Sequence, residues 1–159
     1  MRAAALHKTH SCGICGEKLL RSEKWFVGGS GDVLGLRRGF SDPPMHEECA
    51  TFALRTCPYL SAPVYVKQIE RPDVFTVIMT SSYKYGEKLY RHKDPKPEDR
   101  KPGRYPVYYA RKPWLRVTWW RAGQELTDPD EILRNIDEIH RHFVAQFLGV
   151  DFQEAPPPR

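Results

Sequence analysis

The sequence has no apolar run long enough to cross a bilayer, which takes about 20 such residues. No membrane partner is expected. The opening stretch, Met1 to Ser11, also lacks the apolar core of a secretory signal, so a reducing, cytoplasmic setting is expected. Cysteine is scarce, 4 in all. Their even number permits disulfides, but a reducing setting favours a metal instead. Two catalytic zinc patterns are missing. His46-Glu47 is followed by Ala50 where a metalloprotease needs its second histidine. Nor is there the Pro-Cys-x-x-Cys partner that a nucleobase deaminase requires. No histidine lies between Cys15 and His46, the place where treble-clef nucleases carry their general base. No internal repeat is visible.

What the chain does have is ligand spacing. Cys12-Gly13-Ile14-Cys15-Gly16 is followed at a distance by His46-Glu47-Glu48-Cys49. Two such pairs fit one tetrahedral Zn2+, bound by Cys12, Cys15, His46 and Cys49. Gly13 relieves crowding in the first turn, and Gly16 can take the positive φ that the turn needs. A closed set of four protein donors is structural rather than catalytic chemistry. Cys57 is the remaining cysteine. If a helix runs on from Cys49, Cys57 lies roughly 12 Å further along its axis, too far for the same ion. It reads as a small apolar residue, with a swap for His46 as its rival role. His7 and His10 are weaker alternates.

Local patterns suggest the remaining elements. Lys18–Leu20 and Lys24–Val27 read as short strands, with Val33–Leu36 returning as the other arm of a hairpin. Asp42-Pro43 is a plausible cap and first turn for a helix that carries His46 and Cys49. Val64–Ile69, Val74–Met79, Tyr105–Ala110 and Leu115–Trp120 read as strands, the second of them interior. Arg121-Ala122-Gly123-Gln124 reads as a turn. A single helix is expected from Asp128 to Gly149, with Ile132, Ile136, Ile139, Phe143 and Phe147 on its packed stripe. His140 and His142 are expected on the surface.

The net charge is +5, and the segment from Lys84 to Arg104 has eight cations against four acids, a net of +4. Its cations are Lys84, Lys88, Arg91, Lys93, Lys96, Arg100, Lys101 and Arg104. Tyr85 and Tyr90 are interleaved with them, and Tyr83 and Tyr105 flank the segment. Cations that follow phosphates, beside rings on which bases stack, suit single-stranded nucleic acid. The competing picture is a solvated loop punctuated by Pro95, Pro97 and Pro102. Trp119 and Trp120 are adjacent in a strand and must face opposite sides. Either the sheet is covered on both faces, or one of them, with Trp120 the candidate, is an exposed binding anchor.

Taken together, Cys12-Gly-Ile-Cys-Gly, Asp42-Pro-Pro-Met-His-Glu-Glu-Cys-Ala and Cys57-Pro-Tyr-Leu resemble a group of small zinc-binding proteins of bacteria and their phages. The stretch Trp119-Trp120-Arg121-Ala122-Gly123, leading into the Asp128 helix, is similar to their C-terminal part. The resemblance implies a fixed role for Cys57 and an accessory role in a phage or mobile element, and it implies no particular activity. The expected fold class is α+β. A treble-clef-like zinc module (1–62) is joined to a small, mainly antiparallel sheet packed by a C-terminal helix (63–150), the two forming one domain, with 151–159 as a tail. The first functional reading is an accessory binder of nucleic acid or a nucleoprotein. Behind it stand an inhibitor or adaptor of a host protein complex and a metal-dependent nuclease or hydrolase.

Overall fold

The computed structural model describes residues 2–29, 33–34, 39–61, 74–90 and 103–151. Helix α1 (Arg2–Thr9) precedes strand β1 (Lys24–Gly29). Helix α2 (Glu47–Thr56) and the short α3 (Pro58–Ser61) follow. Then come β2 (Phe75–Thr80), β3 (Tyr83–Tyr90), β4 (Gly103–Ala110), β5 (Arg116–Arg121) and β6 (Gln124–Leu126). Helices α4 (Pro129–Arg134) and α5 (Glu138–Leu148) close the described chain. The fold is α+β, with four strands in the order β1-β2-β5-β6 and a separate β3–β4 ribbon. Every pairing is antiparallel.

Strand β2 is buried along nearly its whole length, as its continuous apolar run predicts. Its register with β1 and β5 sorts the sheet into two faces. Trp25, Val27, Phe75, Val77 and Trp120 pack together with Cys12, Met45, Ala50 and Leu54 on one side. On the other side Trp119 joins Ile132, Leu133 and Val144 from the C-terminal helices and Ile136 from the link between them. A third cluster, Phe26, Val33, Phe40, Ile78 and Tyr108, lies between that sheet face and the ribbon. Trp119 and Trp120 are 2 % and 7 % exposed, so the sheet is covered on both faces and neither indole is an exposed anchor. The reading of Trp120 as a partner-binding residue is therefore corrected. Its Nε1–H is turned inward, donating to Thr118 Oγ1 at 3.1 Å.

The ribbon is an insertion between two neighbouring strands of the sheet, β2 and β5. Its neck is held by Arg111 N–H donating to the Ser82 carbonyl (3.0 Å) and by Thr80 Oγ1 donating to the Arg111 carbonyl (2.6 Å). Regular structure thus enters the basic segment from both ends, because Tyr83–Tyr90 pairs residue by residue with Gly103–Ala110. The loop picture is corrected over these residues. Positions 91–102 lie outside the described residues, as does the strand expected at Val64–Ile69.

Other expectations also shift. Val33 and Leu34 are helical, and β1 takes β2 as its partner, so the hairpin expected between Lys24–Val27 and Val33–Leu36 does not form among the described residues. Leu19 and Leu20 are not in a strand, and Lys18 makes only an isolated bridge with Ser11. Because β1 belongs to the common sheet, the sheet crosses the boundary expected at 62/63. The C-terminal helix is two helices. Asn135 ends the first, its side-chain amide donating to the Glu131 carbonyl at 2.9 Å, and Asp137 precedes the second. An Asn that bonds back to the preceding turn offers the chain an exit from the helix. The break shifts the phase, so Ile139 is 84 % exposed while Val144 and Ala145 take the buried face. Asp128 does cap the first helix, accepting from Asp130 N–H at 3.1 Å, and Gly149 ends the second in the left-handed region. The turn at Ala122-Gly123 forms as expected, with both φ values positive.

Candidate metal centre and basic ribbon

Residues 10–19 fold back into a tight knuckle. Cys12 N–H donates to the Glu17 carbonyl (2.7 Å), Gly16 N–H to the Cys12 carbonyl (3.0 Å) and Leu19 N–H to the His10 carbonyl (2.8 Å). Gly16 has φ +79, as such a turn demands. Ile14 N–H points at Cys12 Sγ, 3.4 Å away. Gly13 lies flat against the second ligand segment. Its N–H donates to the Pro44 carbonyl at 3.0 Å, and a Cβ placed there would run into Pro43 Cγ.

The second pair of candidate ligands is delivered by a helix start, but not the one expected from Asp42-Pro43. Helix α2 begins at Glu47 with His46 in the extended N-cap position, φ −70 and ψ 157. The chain before it is strapped to β1, because Trp25 and Met45 exchange backbone hydrogen bonds of 3.0 and 2.9 Å. That strap occupies Met45, so the helix cannot start at Pro43. Cys49 then falls in the first helical turn, on the side of His46.

Cys12, Cys15, His46 and Cys49 converge. Their donor atoms all lie within 4.8 Å of one another. His46 Nδ1 is 3.4 Å from Cys15 Sγ and 3.9 Å from Cys49 Sγ, while Nε2 donates to the Lys18 carbonyl at 2.8 Å. Around a tetrahedral Zn2+ a sulfur and a nitrogen ligand sit about 3.6 Å apart, and the two observed distances bracket that value. The donor set is therefore the right size for such an ion. All four cysteines of the chain are free thiols, without a disulfide.

The electrostatics separate the thiols. Burial pushes the Cys12 thiol up, but backbone N–H groups of Cys15, Ile14 and His46 outweigh it and bring the pKa down to about 7. Cys49 is pushed up to about 12, by burial first and then by the Cys12 and Cys15 sulfurs. His46 is raised, chiefly by its bond to the Lys18 carbonyl and further by the Cys12 charge, with burial opposing. Three thiols and an imidazole thus crowd one point where only some can ionise without a cation.

Cys57 stays out of the cluster, as helix geometry requires. Helix α2 ends at Thr56, and half-buried Cys57 is its cap, donating its N–H to the Ala53 carbonyl at 2.9 Å. Its own carbonyl accepts from Leu60 N–H, Ser61 N–H and Ser61 Oγ. His7 and His10 are also outside; His7 Nδ1 instead meets the Tyr83 hydroxyl at 3.1 Å. What sequence reasoning missed is the Lys18 carbonyl. A backbone acceptor can come from any residue type and leaves no signal in the sequence.

The ribbon sorts the other candidates. Lys84 pairs with Tyr109, and Lys88 with Tyr105. Alternation puts these two pairs on one face of the ribbon and the Tyr85–Tyr108 pair on the other. Lys84 is exposed, and Lys88 Nζ lies 5.6 Å from the Tyr109 ring centre. Tyr85 is half-buried, stacked on His7 at 4.6 Å, and its hydroxyl donates to Glu87. Tyr90 and Arg104 belong to the two strands. Arg91, Lys93, Lys96, Arg100 and Lys101 lie outside the described residues. Among the described residues, no helix is long and apolar enough to cross a membrane.

No protein-family model matches the chain, and neither a curated protein nor a solved structure does.

Proposed function

We propose that Cys12, Cys15, His46 and Cys49 hold one structural Zn2+, in a treble-clef-like arrangement of knuckle and helix start, and that the protein is a binder of nucleic acid or a nucleoprotein. Four protein donors leave no open position for water, so the ion would fasten the fold rather than catalyse. The fastening has an evident task. The site sits against the core face that holds Trp25, Met45 and Ala50, where it would join residues 12–15 to the start of α2.

The observation that supports binding is the ribbon register, which lines Lys84, Lys88, Tyr105 and Tyr109 along one face. Cations and rings in alternation fit a phosphate backbone with its bases stacked alongside. Fluorescence anisotropy with single-stranded oligonucleotides tests this reading. Affinity should fall steeply with salt, and Lys84→Gln with Lys88→Gln should weaken binding and flatten the salt slope. Affinity independent of salt, or none for DNA and RNA, contradicts it. Co-purification of one protein after nuclease treatment would replace it with the protein-adaptor reading.

A further inference from the structure

A cavity of about 480 Å³ opens beside the zinc knuckle, lined by donors that neither the metal centre nor the ribbon face employs. His7 comes from α1, Lys18 from the end of the knuckle, Arg21 from the stretch after it, Lys24 from the start of β1, Ser82 from the β2–β3 turn and Tyr83 from the start of β3. Among the described residues, not one carboxylate lines it. The volume falls within the ordinary range of small-ligand sites, about 300–1,000 Å³.

Lys24 gives this cavity its built character. It is 8 % exposed, and its ammonium donates to the carbonyls of Leu20 (3.1 Å), Arg21 (2.8 Å) and Ser81 (2.9 Å). Those bonds satisfy its protons and tie the 20–21 segment to the β2–β3 turn, yet carbonyls do not cancel its charge. Among the described residues Lys18, Arg21 and Lys24 have no carboxylate within ion-pair distance. A buried cation with two exposed cations at the rim, and no anion in the wall, makes a positive, low-dielectric concavity. Around it the Ser82 and Tyr83 hydroxyls and the His7 ring add groups able to hydrogen-bond oxygen.

We propose that this cavity binds a phosphate monoester, taken either as a small molecule or as the phosphorylated end of a nucleic-acid strand. Arg21 and Lys18 supply the mobile charge-assisted donors, and Lys24 supplies fixed positive charge behind them. The inference stands apart from the ribbon reading, since the two use different residues.

Calorimetric titration with inorganic phosphate and with adenosine monophosphate, beside anisotropy of 5′-phosphorylated and 5′-hydroxyl oligonucleotides, tests it. Binding of the free phosphates, or at least tenfold tighter binding of the 5′-phosphorylated strand, supports the site, and the arm that responds identifies the source. Lys18→Gln combined with Arg21→Gln, both exposed and tolerable to the fold, should lower free-phosphate binding, or the preference for the 5′-phosphorylated over the 5′-hydroxyl strand, at least tenfold. No binding of phosphate or adenosine monophosphate together with no 5′-phosphate preference overturns the proposal. So does binding that the Lys18 and Arg21 changes do not weaken.

Discussion

His46 donates Nε2–H to the Lys18 carbonyl at 2.8 Å, and this one bond decides which of its nitrogens faces the thiols. With the Nε2 proton committed, Nδ1 is the free lone pair, directed at Cys15 and Cys49. Such an orienting partner on the far nitrogen is the usual companion of a metal-bound imidazole. Here it comes from the knuckle that carries Cys12 and Cys15, so each half of the centre orients the other.

Metal binding should weaken in acid. Cys49, pushed up to about 12, keeps its proton at neutral pH in the metal-free chain, so the ion must displace it. Cys12, near 7, is largely ionised above that pH and protonated below it. Falling pH therefore adds the Cys12 proton, and that of His46 with its raised pKa, to the competition, and apparent zinc affinity should drop more steeply below about pH 7 than above it. Competition with a chromophoric chelator at pH 6, 7 and 8 measures this. An affinity flat across that range would be inconsistent with thiol ligation.

Gly13→Ala should loosen the site without touching a ligand. The added methyl runs into Pro43 Cγ, in the segment that leads to His46. Relief requires the knuckle and the strap to separate, an overpacking cost of about 1–3 kcal/mol. Thermal unfolding of the zinc-loaded variant should show a clearly lower midpoint. An unchanged midpoint would mean that the Gly13–Pro43 contact carries no weight.

Trp119→Ala and Trp120→Ala should both be strongly destabilising, each by about 3–5 kcal/mol, because the indoles fill opposite faces of one sheet. Urea denaturation at equilibrium gives the numbers. An exposed anchor at Trp120 would instead lose little stability when truncated, so the pair also tests whether the sheet is covered on both faces.

The Cys/His cluster was legible in the sequence because ligand spacing is a local property: Cys-x-x-Cys makes a knuckle by itself, and His-x-x-Cys at a helix start needs only one turn. The interior strand Val74–Met79 and the Trp119/Trp120 alternation were legible for the same reason, each being a pattern of period two. The partner of β1 was not. Lys24–Val27 looks like half of a local hairpin, but its mate is β2, some fifty residues on, and strand partnership is set by burial across the whole sheet. The break at Asn135–Asp137 hid behind an apparent stripe, in which Ile132 and Ile136 are buried while Ile139 is 84 % exposed. The ribbon hid behind its prolines: the three that discouraged a regular reading lie at 95, 97 and 102, whereas pairing occupies 83–90 and 103–110.

The central claim is that one zinc fastens this fold through Cys12, Cys15, His46 and Cys49. The most direct measurement is metal content by elemental analysis, joined to thermal unfolding before and after chelation, for the wild type, His46→Ala and Cys57→Ser. The account predicts one zinc per chain in the wild type and in Cys57→Ser, and a large fall in melting temperature on chelation, since structural zinc supplies about 10–16 kcal/mol in small zinc-finger peptides. His46→Ala should bind far more weakly. A metal-free wild type whose melting temperature ignores both added zinc and chelator would contradict it, as would zinc lost from Cys57→Ser but retained in His46→Ala.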